Sequence, residues 1–296
     1  MPELPEVETI ARQLKDLVVG RRVRAFVSHW HRVTEPLSAR DFEKRLVGRQ
    51  ITGVSRRGKF VVLELDGGEA LIVSLRMTGQ LLFRDDPTVA DRFVRAVVRF
   101  EDGTLLNFAD TRKFGRMAIV DRADLVEDTR TRRRIREPLH RALGIEPLSR
   151  RFTTRYLADL LRRRARAAIK PLLLDQRAIA GVGNIYAIEA LWRAKIHPLR
   201  TAGSLRPAEV GRLREAIRWV LLKGIRFGGA SRRDYVDARG NEGRMQREFN
   251  VYGRAGEPCP RCGREIVRTV VAGRGTFHCP RCQRAPRSSA APTMKS

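Results

Sequence analysis

The chain of 296 residues has few cysteines, few lysines, a shortage of acidic residues and no long apolar run. Each shortage excludes something. No apolar stretch approaches the roughly 20 residues needed to span a bilayer, and no basic amphipathic segment stands apart as a membrane anchor. The chain opens Met1-Pro2-Glu3, acidic where a secretory signal would be basic, so it is expected in the cytosol, with the nucleoid. Four cysteines in that reducing compartment read as metal ligands, not disulfides. Only 33 acidic residues face 60 basic ones, a net charge of +27. That excess implies an anionic partner, most simply the phosphates of a nucleic acid. Only eight of the basic residues are lysines. Arginine suits forked phosphate contacts, although genome base composition explains the bias equally well.

Hydrophobic residues are 42% of the chain, enough for a sizeable core in two or three domains. Pro5, with Glu6 and Glu8 in the first turn, opens a helix that continues through Val7, Ile10, Leu14, Leu17 and Val18 and stops at Gly20. From Arg22 to Val120 the period changes to two. Strands are expected at Phe60 to Leu65, Leu71 to Leu75, Val94 to Phe100 and Leu105 to Phe108, with turns at Asp66-Gly67-Gly68 and Glu101-Asp102-Gly103. This density suggests a sandwich or flattened barrel. Helical stripes return at Phe152, Tyr156, Leu157, Leu160 and Leu161, and at Leu213, Ile217, Val220 and Leu221 after Pro207. Gly228 to Arg247 reads as a long loop, of a length that is usually functional or disordered. The fold expected is multidomain α+β. Residues 1–130 are expected to form a β-sandwich with a leading helix, 131–150 a linker, 151–247 a helical domain with a loop, 248–284 a zinc-ribbon finger and 285–296 a disordered tail.

Five motifs can carry chemistry. Cys259-Pro260-Arg261-Cys262 and Cys279-Pro280-Arg281-Cys282 lie 16 residues apart around a β-hairpin. Two such turns complete a tetrahedral, closed and therefore structural Zn2+ site, which mounts Arg274. Gly181-Val182-Gly183-Asn184 precedes a helix, where backbone N–H groups bind phosphate, or where two helices simply pack at a corner. With Met1 removed, Pro2 exposes a secondary amine with a pKa of roughly 8. It can attack an electrophilic carbon and form an iminium, with Glu3 beside it as general acid and base. The same residues equally start and cap a helix. Lys59, at the start of a strand, can meet a phosphate or a reacting sugar, or be an exposed turn charge. Met77 and Phe114, in loops with Arg76 and Arg112, can wedge into a base stack or belong to the core.

In this order and at these separations, the motifs resemble the formamidopyrimidine-DNA glycosylase family. The likeness runs from Pro2 to Gln283. It is carried by the N-terminal Pro2-Glu3-Leu4-Pro5-Glu6, by Gly181-Val182-Gly183-Asn184-Ile185-Tyr186, by Tyr252-Gly253-Arg254 leading to Cys259, and by Thr276-Phe277 leading to Gln283. The resemblance implies a β-sandwich, a helix–two-turns–helix domain and a zinc finger. It also implies duplex DNA carrying oxidised purines or abasic sites as substrate, action usually as a monomer, and a bifunctional glycosylase/lyase that nicks by β,δ-elimination. It implies that Pro2 attacks C1′, that Glu3 moves protons on the sugar and that Lys59 assists while holding a phosphate. Met77, Arg112 and Phe114 would fill the gap left by the extruded nucleotide. Asn184 and Arg274 would grip phosphates, Arg274 also aiding the chemistry, and Glu6 would support the site. Base flipping, which costs a few kcal/mol, roughly, explains why wedges are needed.

The chain departs from the family pattern at Ser74, where histidine is usual, and at Phe93 and Arg95, where a histidine pair is usual. It departs again at Arg244-Met245, in a lesion-capping loop where an aromatic or small residue is expected. These departures bear on lesion preference and leave Pro2, Glu3 and Lys59 intact. Two alternatives stand beside this reading. One is an endonuclease VIII-like enzyme for oxidised pyrimidines, against which Leu4 argues. The other is a non-catalytic zinc-ribbon protein that binds damaged DNA.

Overall fold

The computed structural model describes residues 1–125 and 143–285. It contains α1 (Leu4–Val18), β1 (Val23–Ser28), α2 (Ala39–Leu46), β2 (Ile51–Arg57), β3 (Phe60–Leu65), β4 (Glu69–Ser74), β5 (Gly79–Arg84), β6 (Val94–Phe100), β7 (Leu105–Asp110) and β8 (Arg116–Asp121). These are followed by α3 (Thr154–Arg163), α4 (Ile169–Leu174), α5 (Asn184–Ala194), α6 (Pro207–Arg226), β9 (Val267–Val271) and β10 (Arg274–His278). The chain packs as two units. The first comprises Met1–Glu146, Ile179–Gly181 and Leu221–Glu248; the second comprises Pro147–Ala178, Val182–Val220 and the residues from Phe249 onward.

In the first unit, two antiparallel four-stranded sheets, ordered β1-β6-β7-β5 and β2-β3-β4-β8, make the expected sandwich. The period of two is explicit on β3 and β4. Val61, Leu63, Leu71 and Val73 enter the main core, while Val62, Ala70 and Ile72 form a smaller cluster with Val120. Helix α1 buries Leu4, Val7, Ile10, Ala11, Leu14 and Val18 and packs on β2 and β3. Helix α2 escapes a reading of the sequence because its eight residues bury only Phe42 and Leu46, too few apolar positions to establish a helical period.

Two domain boundaries differ from expectation. Part of the expected linker, Leu143 to Glu146, is structured, with Leu143 and Ile145 buried, because Leu143 packs with Phe60 and Ala180 and Ile145 bridges Ile179. Residues 131–142 of that stretch, the last five residues of the expected sandwich domain, and the expected tail from 286 lie outside the described residues. The loop expected on the helical domain packs instead in the first unit. Asp237 accepts from the Gln13 amide at 2.8 Å, Ala238 N donates to Gln13 Oε1 at 2.9 Å, and Phe83 N donates to the Ala238 carbonyl at 2.8 Å.

The second unit holds α3, α4, α5 and most of α6, with the β9–β10 hairpin. Glu189 on α5 organises the chain leading into the finger. Its carboxylate accepts from the backbone N–H of Asn250, Val251 and Tyr252 at 2.9–3.1 Å. Among the described residues no helix is long and apolar enough to cross a membrane.

Candidate active site

Pro2 and Glu3 are buried at the start of α1. Glu3 is the N-cap in a capping box with Glu6, whose Oε2 accepts from Glu3 N at 2.8 Å. Leu4 N donates to the Gly181 carbonyl at 3.0 Å, so the first glycine of the Gly181–Asn184 motif serves the N-terminus. The second oxygen of Glu6 accepts from Ala230 N at 2.8 Å. One buried carboxylate thus ties the candidate catalytic dipeptide to the root of the 228–246 loop. Gly229 permits this: its φ is +82°, and a Cβ there would lie 2.8 Å from Glu6 Cγ and 2.9 Å from the Tyr235 ring. The Tyr235 hydroxyl donates to the Gly228 carbonyl at 2.9 Å, and burial, with the Glu6 charge, pushes its pKa well up.

Lys59 occupies the turn between β2 and β3. The turn is fixed by a buried ion cluster. Glu146 accepts from Gly58 N at 2.6 Å, Arg57 Nη1 at 2.9 Å and Arg56 Nη2 at 2.7 Å, and Arg56 Nε reaches Glu8 on α1 at 2.9 Å. Burial alone would raise the Glu146 carboxyl, but the Arg56 charge and the hydrogen bonds to it outweigh burial and hold it low. The Arg56 guanidinium is correspondingly raised by Glu146 and Glu8, against burial. The helix carrying Pro2 and the turn carrying Lys59 are therefore cross-linked through Glu8, Arg56 and Glu146.

Met77, Arg112 and Phe114 stand exposed on two loops. Asp110, buried at the end of β7, organises both. Its carboxylate accepts from the N–H groups of Arg112 (3.1 Å), Phe114 (2.8 Å) and Gly115 (2.7 Å), and from the Thr78 hydroxyl of the Met77 loop. Gly115 permits the tight return: a Cβ would fall 2.2 Å from the Phe108 ring. Arg112 stacks on Phe114, 4.8 Å from the ring centroid. Of the departing residues, Ser74 is buried at the end of β4, and Arg244 is exposed. Met245 is a core residue, 1% exposed, its N–H donating to the Gly229 carbonyl.

In the second unit Asn184 begins α5, with Gly183 as N-cap. Its amide donates to the Gly275 carbonyl of the hairpin at 3.0 Å, while its buried Oδ1 has no hydrogen-bond partner. Arg274 is exposed at the first position of β10, and its carbonyl accepts from Thr276 Oγ1 at 2.9 Å. The buried Lys170 Nζ donates to that same hydroxyl at 2.8 Å. The Sγ atoms of Cys259, Cys262, Cys279 and Cys282 all lie within 4.8 Å of one another. Burial opposes ionisation of Cys259, but the Trp192 indole N–H, 3.5 Å from its sulfur, and neighbouring N–H groups bring it down to about 7. Burial and the adjacent thiols push Cys282 up to about 12. Four cysteine sulfurs gathered this closely suit one structural zinc ion, which would bind them as thiolates.

Family models match the chain three times. The formamidopyrimidine-DNA glycosylase N-terminal domain covers residues 1–117, the formamidopyrimidine-DNA glycosylase H2TH domain 143–236, and the zinc finger found in FPG and IleRS 256–285. The chain belongs to the formamidopyrimidine-DNA glycosylase family. It is 48% identical over 285 residues to the formamidopyrimidine-DNA glycosylase of Roseiflexus sp. (strain RS-1), covering 96% of this chain and 100% of that one. It is 47% identical over 284 residues to that of Herpetosiphon aurantiacus, with the same coverage. A point mutant of the Lactococcus lactis Fpg in complex with Fapy-dG containing DNA superposes with a TM-score of 0.85 at 37% identity. The Lactococcus lactis Fpg in complex with abasic-site DNA superposes equally well, at 36% identity. Each of these two covers 96% of this chain and 100% of its own.

Within the glycosylase family fold, the residues that support the others are the ones sequence reasoning misses. Glu146 sits in a stretch that reads as linker, and its partners Arg56 and Arg57 read only as charges before Lys59. Asp110 lies just ahead of the loop residues Arg112 and Phe114, and its role as acceptor for that loop is not marked by any spacing. Tyr235 lies in a segment with no periodicity. Each acts through contacts to residues distant in sequence or through backbone N–H groups, which leave no pattern in residue type. Asp110 alone offers a signal, as an aspartate leading a turn.

Proposed function

We propose that this protein excises oxidised purines, 8-oxoguanine and formamidopyrimidines, from duplex DNA and then nicks the strand by β,δ-elimination, as a monomer acting on chromosomal DNA in the cytosol. The damaged nucleotide is flipped out of the stack, because C1′ is unreachable within it. The Pro2 nitrogen, once Met1 is removed, bonds to C1′ as the glycosidic bond breaks, and the electron pair leaves with the base. Glu3 moves protons on the sugar while the ring opens to an iminium. Lys59 holds a flanking phosphate and assists elimination. Met77, Arg112 and Phe114 fill the vacated stack. Asn184 and Arg274 hold phosphates, and the zinc ion keeps the hairpin that presents Arg274 in shape.

The observation that carries this reading is the Glu3–Glu6 capping box. The residue directly after the candidate nucleophile is held by its backbone N–H on the Glu6 carboxylate, which also anchors the 228–246 loop. Leu4 favours the purine branch. The test is incision of duplexes carrying 8-oxoguanine, Fapy-dG or an oxidised pyrimidine by zinc-loaded protein lacking Met1. Faster cutting of the two purine lesions is expected. Preference for the pyrimidine would move the protein to the sister specificity, and binding without cutting of any duplex would leave a damage-binding protein.

A further inference from the structure

Helix α1 carries a second hold on the 228–246 loop, at Gln13, that the mechanism above does not use. Gln13 lies two turns beyond Glu6 on α1, so both side chains leave the same side of the helix, about 10 Å apart along its axis. Glu6 holds Ala230 N at the root of the loop. Gln13 holds the 237–241 bend with both ends of its amide. Its Nε2 donates to Asp237 Oδ2 at 2.8 Å, and its Oε1 accepts from Ala238 N at 2.9 Å. The helix that follows directly on Pro2 and Glu3 therefore fixes the loop at two points.

The bend that Gln13 grips is itself well bonded. Asp237 Oδ1 accepts from Arg239 N at 2.9 Å and Asn241 N at 2.8 Å, and Asp237 N donates to the Asn241 carbonyl at 2.8 Å. Ala238 is fully buried, and its carbonyl accepts from Phe83 N of β5. The residues on either side, Arg232 to Asp234 and Arg239 to Glu242, are exposed. Position 13 has to donate to a carboxylate and accept from a buried N–H at once, which an amide does and an ionised carboxyl or an ammonium group does not. A glutamate would face the Asp237 carboxylate, and an apolar side chain would leave the Ala238 N–H unpaired.

The two halves of the reaction make different demands on this loop. Excision acts on a flipped nucleotide whose base has to be held outside the stack. Strand nicking acts on a sugar that has already lost its base. Only excision needs a wall for the base, and the loop is rooted on the carboxylate that also holds Glu3.

We propose that Gln13 is a positioning residue for base excision, whose amide keeps the 228–246 loop in place against the base of the flipped nucleotide beside Pro2. This rests on the reading of the protein as a duplex-DNA glycosylase and assigns Gln13 to one half of its reaction.

The test uses the full zinc-loaded chain freed of Met1, in single-turnover assays on two duplexes, one carrying 8-oxoguanine and one a preformed abasic site. Gln13→Glu is expected to slow 8-oxoguanine excision at least about tenfold, the scale on which small misplacements act, and to change abasic-site nicking by less than about twofold. Combining Gln13→Glu with Asp237→Asn reverses the polarity of the pair, since the amide then donates from the loop to the helix, and excision is expected to return to within about twofold of the unaltered protein. Unchanged excision in Gln13→Glu would overturn the proposal. So would equal loss on both duplexes that tracks a falling Tm, since the contact would then be structural, and so would a double variant no faster than Gln13→Glu. Failure of the unaltered protein to excise any base would instead defeat the glycosylase reading, and the proposal with it.

Discussion

A side chain proposed to move protons during catalysis has first to be held in place. In the capping box Glu6 accepts from the Glu3 backbone N–H and the Glu3 carboxylate accepts from the Glu6 backbone N–H, and a glutamine at position 3 keeps an acceptor oxygen for the second of these. Glu3→Gln is accordingly expected to abolish base excision while leaving Kd for a tetrahydrofuran duplex within about twofold. Parallel loss of binding, measured by fluorescence anisotropy, would make Glu3 a structural residue. The neighbouring Gly229 offers a steric test of the same constellation. With φ at +82° and Glu6 Cγ only 2.8 Å from a built Cβ, Gly229→Val combines backbone strain with overpacking and should cost at least about 2 kcal/mol in denaturant melts. It should slow excision more than Glu3-independent duplex binding. A fully active, equally stable variant would show that Glu6 does not need the loop where it is.

Elements are set in place by carboxylates that accept backbone N–H groups. Asp110 does this for the 112–115 turn and Glu189 for residues 250–252. Glu209 begins α6 by accepting from Arg206 N at 2.9 Å while paired with Arg200. The Arg200 hydrogen bond is the largest influence holding Glu209 at about 2. An unfolded glutamate titrates near roughly 4.3. The folded value is the lower one, so the stabilisation is complete above the unfolded value and lost as pH falls from there towards 2. Glu209→Gln should therefore flatten the dependence of Tm on pH between about 4.5 and 2; an unaltered profile would assign no such role to the pair. Asp110→Ala strands the N–H groups of Arg112, Phe114 and Gly115, the last of them buried, and its expected cost is about 2–4 kcal/mol, with excision falling alongside. These contacts explain what can be read in advance. The main strands and α1 are legible because burial imprints a period on residue type, as in Val61, Leu63, Leu71 and Val73. Helix α2 is too short to show one, and Glu146 and Tyr235 act through partners far along the chain, which no local window contains.

For the molecule as a whole, 60 basic residues against 33 acidic ones imply binding that weakens steeply with salt, because each phosphate neutralised releases counterions. The cysteine cluster is the most legible feature of the sequence, since spacing alone specifies a tetrahedral thiolate site, and its four sulfurs do gather within 4.8 Å. The hairpin they hold carries Arg274, so Cys279→Ser, or stripping with a chelator, should remove zinc and weaken duplex binding at least about tenfold, the scale of losing a charged phosphate grip and its mount. Zinc-free protein with unaltered affinity would detach the finger from DNA binding. The central claim concerns the other end of the chain, and borohydride trapping tests it most directly. Protein freed of Met1 is mixed with an 8-oxoguanine duplex and reduced, and the adduct is mapped by mass spectrometry. One covalent adduct is expected, on the Pro2 nitrogen, and none in protein that keeps Met1, whose Pro2 nitrogen is locked in an amide. An adduct on a lysine, or equal trapping with Met1 in place, would contradict the account.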